Sequence, residues 1–181
     1  LEDVRQEGDA AVREYSLALQ GKIPASLEIP RGAWKKAFDA LDPELQDALR
    51  LAATQIESFH RKQLRTSWMD YSPECALGQV VRPLERVGIY TPGGTAVYPS
   101  SLLMTAIPAR VAGVNEVIVC SPSGPDGRVS PLVLAAAEVA NADRLFAVGG
   151  AQAIGAMAYG TATIPHVDKI LGPGNIFVVL A

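Results

Sequence analysis

Arg86-Val87-Gly88-Ile89-Tyr90-Thr91-Pro92-Gly93-Gly94 decides the reading of this chain. An apolar run of strand length meets a Pro/Gly turn, and a helical pattern follows from Ser100. Three further segments repeat the arrangement. Glu116-Val117-Ile118-Val119-Cys120 meets Ser121-Pro122, and Arg144-Leu145-Phe146-Ala147-Val148 meets Gly149-Gly150-Ala151-Gln152. Asp168-Lys169-Ile170-Leu171 meets Gly172-Pro173-Gly174-Asn175. Repeated strand–loop–helix units build parallel sheet through right-handed crossovers. Near-continuous apolar strands suit a sheet buried on both faces. All four turns then share the carboxyl edge of the sheet, where open α/β folds bind ligands. The fold class is α/β. Its predicted helices are 100–112, kinked or broken at Pro108, then 131–140 and 151–159. The loop 121–130, with Gly124-Pro125-Asp126-Gly127, reads as an inert surface turn.

Residues 1 to about 70 read as helical. Gly8-Asp9 gives a break and an N-cap, after which Ala11, Val12, Tyr15 and Leu19 share one helical face until Gly21. A short helix over 32–40 follows a loop at 23–29. Asp42-Pro43 starts a longer helix that is expected to reach about Leu64. Its stripe of Leu45, Leu49, Ala52, Ile56 and Phe59 marks a core or subunit-interface face. Residues 71–85 read as a linker with extended pieces, including a short strand at Gln79-Val80-Val81-Arg82.

The chain has 181 residues, of which 49% are hydrophobic and 19% charged, so a packed core is expected rather than disorder. A net charge of −3 without a basic cluster argues against nucleic acid as partner. No apolar run approaches the roughly 20 residues that span a bilayer, and no leader sequence is read, so neither a membrane partner nor export is expected. Cys75, Cys120, His60 and His166 are scattered, fit no metal spacing and suit a reducing cytoplasm. Leu1 at one end and the apolar Ile176-Phe177-Val178-Val179-Leu180-Ala181 at the other suggest a piece of a longer protein. Such a piece would leave an apolar face where the remainder docks.

Nucleotide phosphates require backbone N–H groups and close backbone approach, which the Gly-rich turns supply. Yet no G-x-G-x-x-G follows the first strand, and no G-x-x-x-x-G-K-[ST] occurs. The second strand ends in Cys120-Ser121 rather than an acidic residue. Spacing alone leaves a dinucleotide site and a plain α/β scaffold both open.

The segments themselves are more specific. Val87-Gly88-Ile89-Tyr90-Thr91-Pro92-Gly93-Gly94-Thr95-Ala96, Tyr98-Pro99-Ser100-Ser101-Leu102-Leu103-Met104 and Pro108-Ala109-Arg110-Val111-Ala112-Gly113 resemble histidinol dehydrogenases. So do Val148-Gly149-Gly150-Ala151-Gln152-Ala153-Ile154 and Val167-Asp168-Lys169-Ile170-Leu171-Gly172-Pro173-Gly174-Asn175. Gly8-Asp9-Ala10-Ala11 and Glu14-Tyr15-Ser16 extend the likeness into the helical front.

The resemblance implies a helical N-terminal region with linker at 1–84, part of a domain that later residues complete. It implies an incomplete Rossmann-like parallel sheet at 85–181, with helices on both faces, that binds NAD. The implied activity is oxidation of L-histidinol to L-histidine through an aldehyde, by a homodimer with one zinc per site. Tyr90, Gln152 and Asn175 match the family's NAD contacts. The zinc ligands, the Glu–His proton-handling pair and most substrate contacts fall after Asn175 in the family, beyond Ala181. No catalytic or metal residue is therefore assigned, and the chain alone is expected to be inactive.

Duller roles exist for each residue. Tyr90 could be a packed strand-end aromatic, and Gln152 and Asn175 could cap helices. Cys120 reads as a small hydrophobe rather than a nucleophile. Ser100 is the expected cap of the first sheet helix. Two alternatives to the leading reading are a relative acting on another small polar alcohol and a non-catalytic nucleotide-binding scaffold.

Overall fold

The computed structural model describes residues 1–93 and 97–181. Gly94, assigned above to the first turn, lies outside the described residues, as do Thr95 and Ala96. The helical front comprises α1 (Glu2–Glu7), α2 (Asp9–Gln20), α3 (Arg31–Asp39) and α4 (Pro43–Arg61). A hairpin follows, made of β1 (Trp68–Tyr71) and β2 (Ala76–Gln79), and then β3 (Arg86–Tyr90) and α5 (Pro99–Val111). β4 (Glu116–Cys120), α6 (Pro131–Val139), β5 (Arg144–Phe146) and α7 (Gly150–Tyr159) come next. β6 (Lys169–Leu171) and α8 (Ile176–Val179) complete the order. No helix among the described residues is long and apolar enough to cross a membrane.

The four strands β3 to β6 form one parallel sheet in the order β5-β4-β3-β6. Helices α5 and α6 cover one face, where Val87, Ile89, Val117 and Val119 meet Leu102, Leu103 and Val133. Helices α3 and α4 pack outside them. The opposite face carries Ile118, Phe146 and Val148 against Met157 of α7, with Val4 of α1 and Val12 of α2 in the same layer. The α/β class with helices on both faces is thus what the molecule has. Each fully buried Val, Leu or Ile in these layers contributes about 1.5–3 kcal/mol.

Every strand of this parallel sheet begins on a charged residue, namely Arg86, Glu116, Arg144 and Lys169. The first three are tied down at the amino edge. Arg86 Nε pairs with Glu116 at 2.5 Å, and Arg144 pairs with Glu28 through two bonds of 2.7 and 2.8 Å. The Arg144 hydrogen bond holds the Glu28 carboxyl below its ordinary value, against the upward push of burial. Asp168 Oδ2 accepts the N–H groups of Glu85 and Arg86, and Arg110 donates to the carbonyls of Asn141, Val114 and Asn115. Charge and pairing gather at one edge, and the turns occupy the other.

Several local expectations need correction. Gly8 is the N-cap of α2, at φ 60, and Asp9 opens the helix, accepting a bond from the Thr163 hydroxyl at 2.5 Å. On α2 the buried face is Ala11, Val12 and Ser16, whereas Tyr15 and Leu19 are exposed. Helix α4 starts as expected, with Asp42 accepting the Glu44 N–H at 2.9 Å, but ends at Arg61 rather than Leu64. Of its stripe, Leu49 is buried and Ala52 and Ile56 pack on the core, while Leu45 and Phe59 are exposed. Pro108 does not end α5. It sits in the last turn, so only the Met104 carbonyl loses its helical donor, and Met104 is exposed to water. Tyr98, not Ser100, occupies the N-cap position of α5, and Pro99 is its first residue. Of the strand expected at Gln79–Arg82 only Gln79 lies in one, as the last residue of β2 in an antiparallel hairpin that sets Trp68 opposite Gln79 and Tyr71 opposite Ala76. Every residue from 61 to 85 is exposed.

Candidate functional site

Helix α5 follows β3 onto one face of the sheet, whereas α8 follows β6 onto the other. β3 and β6 are neighbours. Adjacent strands whose connections depart to opposite faces leave a crevice between them, the topological switch point of an open α/β sheet. The two turns there abut: Gly172, at φ 141, lies so close to the Tyr90 carbonyl that a Cβ would overlap it. A cavity of about 640 Å³ opens at this edge, and Tyr90, Gln152 and Asn175 all lie in its wall. Tyr15, Leu19 and Gln20 supply part of the opposite side. Tyr15 and Leu19 of α2 therefore line a cavity rather than the core, a distinction that helical periodicity does not carry.

The site residues are held differently. Tyr90 is 5% exposed and packs in the layer beneath α7. Its hydroxyl accepts the Gly150 N–H at 3.1 Å, and burial raises the phenol above its ordinary value. It is thus a neutral phenol with one hydrogen left to donate. The ring is a core element that also reaches the cavity wall. Gly150 opens α7 at φ 70, and a Cβ there would lie 2.5 Å from Gln152 Oε1. Gln152 caps nothing: its Nε2 donates to the buried Ser16 hydroxyl at 3.4 Å. Asn175 does cap, its Oδ1 accepting the N–H groups of Phe177 and Val178 at 3.1 Å each. Its amide nitrogen remains on an exposed residue.

Residues missed by sequence reasoning stand at the same edge. Thr91 and Ser121 each follow the last residue of a strand, and both are buried. Neither hydroxyl has a hydrogen-bond partner among the described residues. A polar residue directly after an apolar strand was the available signal. Gln20 was also missed: its Oε1 accepts the Ser123 N–H at 3.0 Å and ties α2 to the loop after β4. That loop, expected as a surface turn, buries Ser121 and Ser123. It forms much of a second cavity, of about 470 Å³, which shares Gly93 and Pro122 with the first.

Cys120 is fully buried, and burial pushes its thiol up to about 12, which leaves no thiolate for nucleophilic work at neutral pH. Cys75 is exposed. A thiol reagent at pH 7 should therefore label one cysteine in the native protein and both in urea, as counted by mass spectrometry. Rapid native labelling of Cys120 would contradict the packing of β4. His166 is exposed, and His60 shares a 2.7 Å bond with Gln63 at the end of α4. Among the described residues no three His, Cys, Asp or Glu side chains stand close enough to hold a metal ion.

The family model described as histidinol dehydrogenase matches residues 1–181. The histidinol dehydrogenase of Methanosarcina mazei is 55% identical over 183 residues, covering 100% of this chain and 42% of that protein. That of Thermus thermophilus is 55% identical over 181 residues, with the same two coverages of 100% and 42%. The crystal structure of histidinol dehydrogenase from Elizabethkingia anophelis superposes with a TM-score of 0.93 at 34% identity, covering 99% of this chain and 42% of that one. The chain thus spans about 42% of the length of these relatives.

Proposed function

The chain belongs to the histidinol dehydrogenase family, and from that premise we propose that it is the NAD-binding portion of an enzyme that oxidises L-histidinol to L-histidine through the aldehyde. The observation that carries this reading is the convergence of Tyr90, Gln152 and Asn175 on one cavity at the switch point of the sheet. NAD, when bound, supplies the hydride acceptor for each oxidation. The residues of this chain hold and orient it. The Gln152 amide and the Asn175 amide nitrogen offer hydrogen bonds to ribose or phosphate oxygens. The Tyr90 hydroxyl keeps a hydrogen to donate while its bond to Gly150 fixes the first turn of α7.

Zinc does not fit the residues described, which bring no metal-ligating cluster together, and no step is derived through it. The proton-handling pair and the substrate pocket belong, on this reading, to the part of the family length that the chain does not span. The division into a helical region at 1–84 and a sheet region at 85–181, a homodimeric parent and a cytoplasmic setting are parts of the same proposal.

Calorimetry with NAD on this protein tests it. The wild type should give saturable heat, and Gln152→Ala should weaken binding about tenfold, the loss of one or two hydrogen bonds. Absence of saturable heat from the wild type would leave a scaffold without nucleotide. That result would favour the intramolecular roles of Tyr90 and Asn175 as their whole purpose.

A further inference from the structure

Helix α2 seats on α7 through a layer of small and apolar side chains, Ala11 and Val12 from one helix and Ala153, Ala156 and Met157 from the other. Ser16, one turn after Val12, is fully buried with them. Alanine would fill nearly the same space with no polar atom to satisfy, and a buried hydroxyl is costly unless it is bonded. Packing alone therefore does not call for serine here. The side-chain hydrogen bond of Ser16 among the described residues is with Gln152, whose Nε2 donates to its Oγ at 3.4 Å across 136 positions of sequence.

Gln152 is only 5% exposed, yet it stands in the wall of the switch-point cavity. Two neighbours bound its amide. Gly150 leaves room for it by lacking a side chain, since a Cβ there would lie 2.5 Å from Oε1 and 3.2 Å from Nε2. Ser16 takes one Nε2 hydrogen, which leaves the second hydrogen and Oε1 for a ligand. Gly150 is tied in turn, its N–H donating to the Tyr90 hydroxyl at 3.1 Å. Gln20, one turn beyond Ser16, accepts the Ser123 N–H at 3.0 Å and holds that stretch of α2 against the sheet edge. A glutamine side chain is rich in rotamers, and a ligand that has to freeze them itself loses affinity.

We infer that Ser16 is a positioning residue for the cofactor amide: through its hydroxyl, α2 fixes the rotamer of Gln152 before NAD arrives. The inference rests on the NAD reading above. It adds a residue outside the four turns and gives the helical front a part in cofactor binding.

A double-mutant cycle read by calorimetry with NAD tests it, on the wild type, Ser16→Ala, Gln152→Ala and the double variant. Ser16→Ala should weaken NAD about fivefold, the worth of about one neutral hydrogen bond. The double variant should bind within about twofold of Gln152→Ala alone, because Ser16 has no amide left to hold. Urea midpoints without NAD report whether each variant is folded. Ser16→Cys, which keeps the shape and offers only a weak acceptor, is the second variant if alanine proves unstable, and the same weakening is expected of it. Wild-type affinity in either folded Ser16 variant would overturn the inference. So would losses that multiply in the double variant, which would mean that Ser16 acts on the fold at large and not through Gln152. If the Ser16 variants are silent while Gln152→Ala weakens NAD, the positioning role falls and the NAD reading stands. Failure of the wild type to bind NAD takes both away.

Discussion

Gly172→Ala should destabilise the protein by about 3 kcal/mol or more, which is large for a single added methyl group. Two costs add. The residue sits at φ 141, where an L side chain is strained. Its Cβ would also overlap the Tyr90 carbonyl, with further Tyr90 backbone close behind. Backbone cannot step aside as the end of a flexible side chain can. Relief would require β6 to retreat from β3 and break the register that sets Ile89 opposite Leu171. Gly21→Ala provides the control. It also has positive φ, at 73, but no atom lies within 4 Å of its would-be Cβ. It should cost only about 1 kcal/mol, the conformational part. Urea denaturation separates the two, because a urea m-value of about 1–3 kcal/mol/M turns the difference into a readable shift of midpoint. Equal costs for both variants would mean that the turns at the crevice do not touch.

The second large effect is expected at Phe146. It is fully buried, and its strand position ties two parts of the molecule together. Its carbonyl accepts the Ser121 N–H at 3.0 Å, and its neighbours exchange bonds with the segment before α3: Ile29 N–H to the Leu145 carbonyl at 2.8 Å, Ala147 N–H to the Leu27 carbonyl at 2.7 Å. The Arg144 guanidinium lies 4.9 Å from the ring centroid. Phe146→Ala should cost about 3–5 kcal/mol, the range for emptying a packed aromatic site. Phe146→Leu should cost under about 1.5 kcal/mol. Small domains have only about 5–15 kcal/mol in total, so the alanine variant should lose a large share of its urea resistance. A cost below about 1.5 kcal/mol for alanine would show that the layer under α7 collapses freely to fill the gap.

The sheet was legible because each strand is an apolar run of about five residues stopped by Gly or Pro. Burial on both faces leaves that signature without any partner being known. The switch-point residues were legible through the resemblance, at Tyr90, Gln152 and Asn175. Their local chemistry was not. The Tyr90 hydroxyl is spent partly on Gly150, a residue sixty positions away, and Gln152 reaches Ser16 on α2. Such pairings depend on how α2 and α7 pack, which no spacing rule encodes. Tyr15 and Leu19 share a helical face with Ala11 and Val12 without joining the core, for a related reason. A helical face that lines a cavity has the same period as one that fills a core. The hairpin escaped notice because its strands bury nothing, so no alternation of burial shaped its sequence.

The run of exposed residues from 61 to 85 has a consequence for covalent continuity. It is the only link between the helical front and β3, yet the front grips the sheet elsewhere: α3 on α6, α4 on α5, and α1 and α2 on α7. Glu28 adds its pair with Arg144 across the same gap in sequence. A chain severed between Trp68 and Leu84 would therefore remain one particle, its two peptides held by the same layers that hold the intact protein. The peptide link there sets the order in which the parts are made, while cohesion belongs to the interfaces.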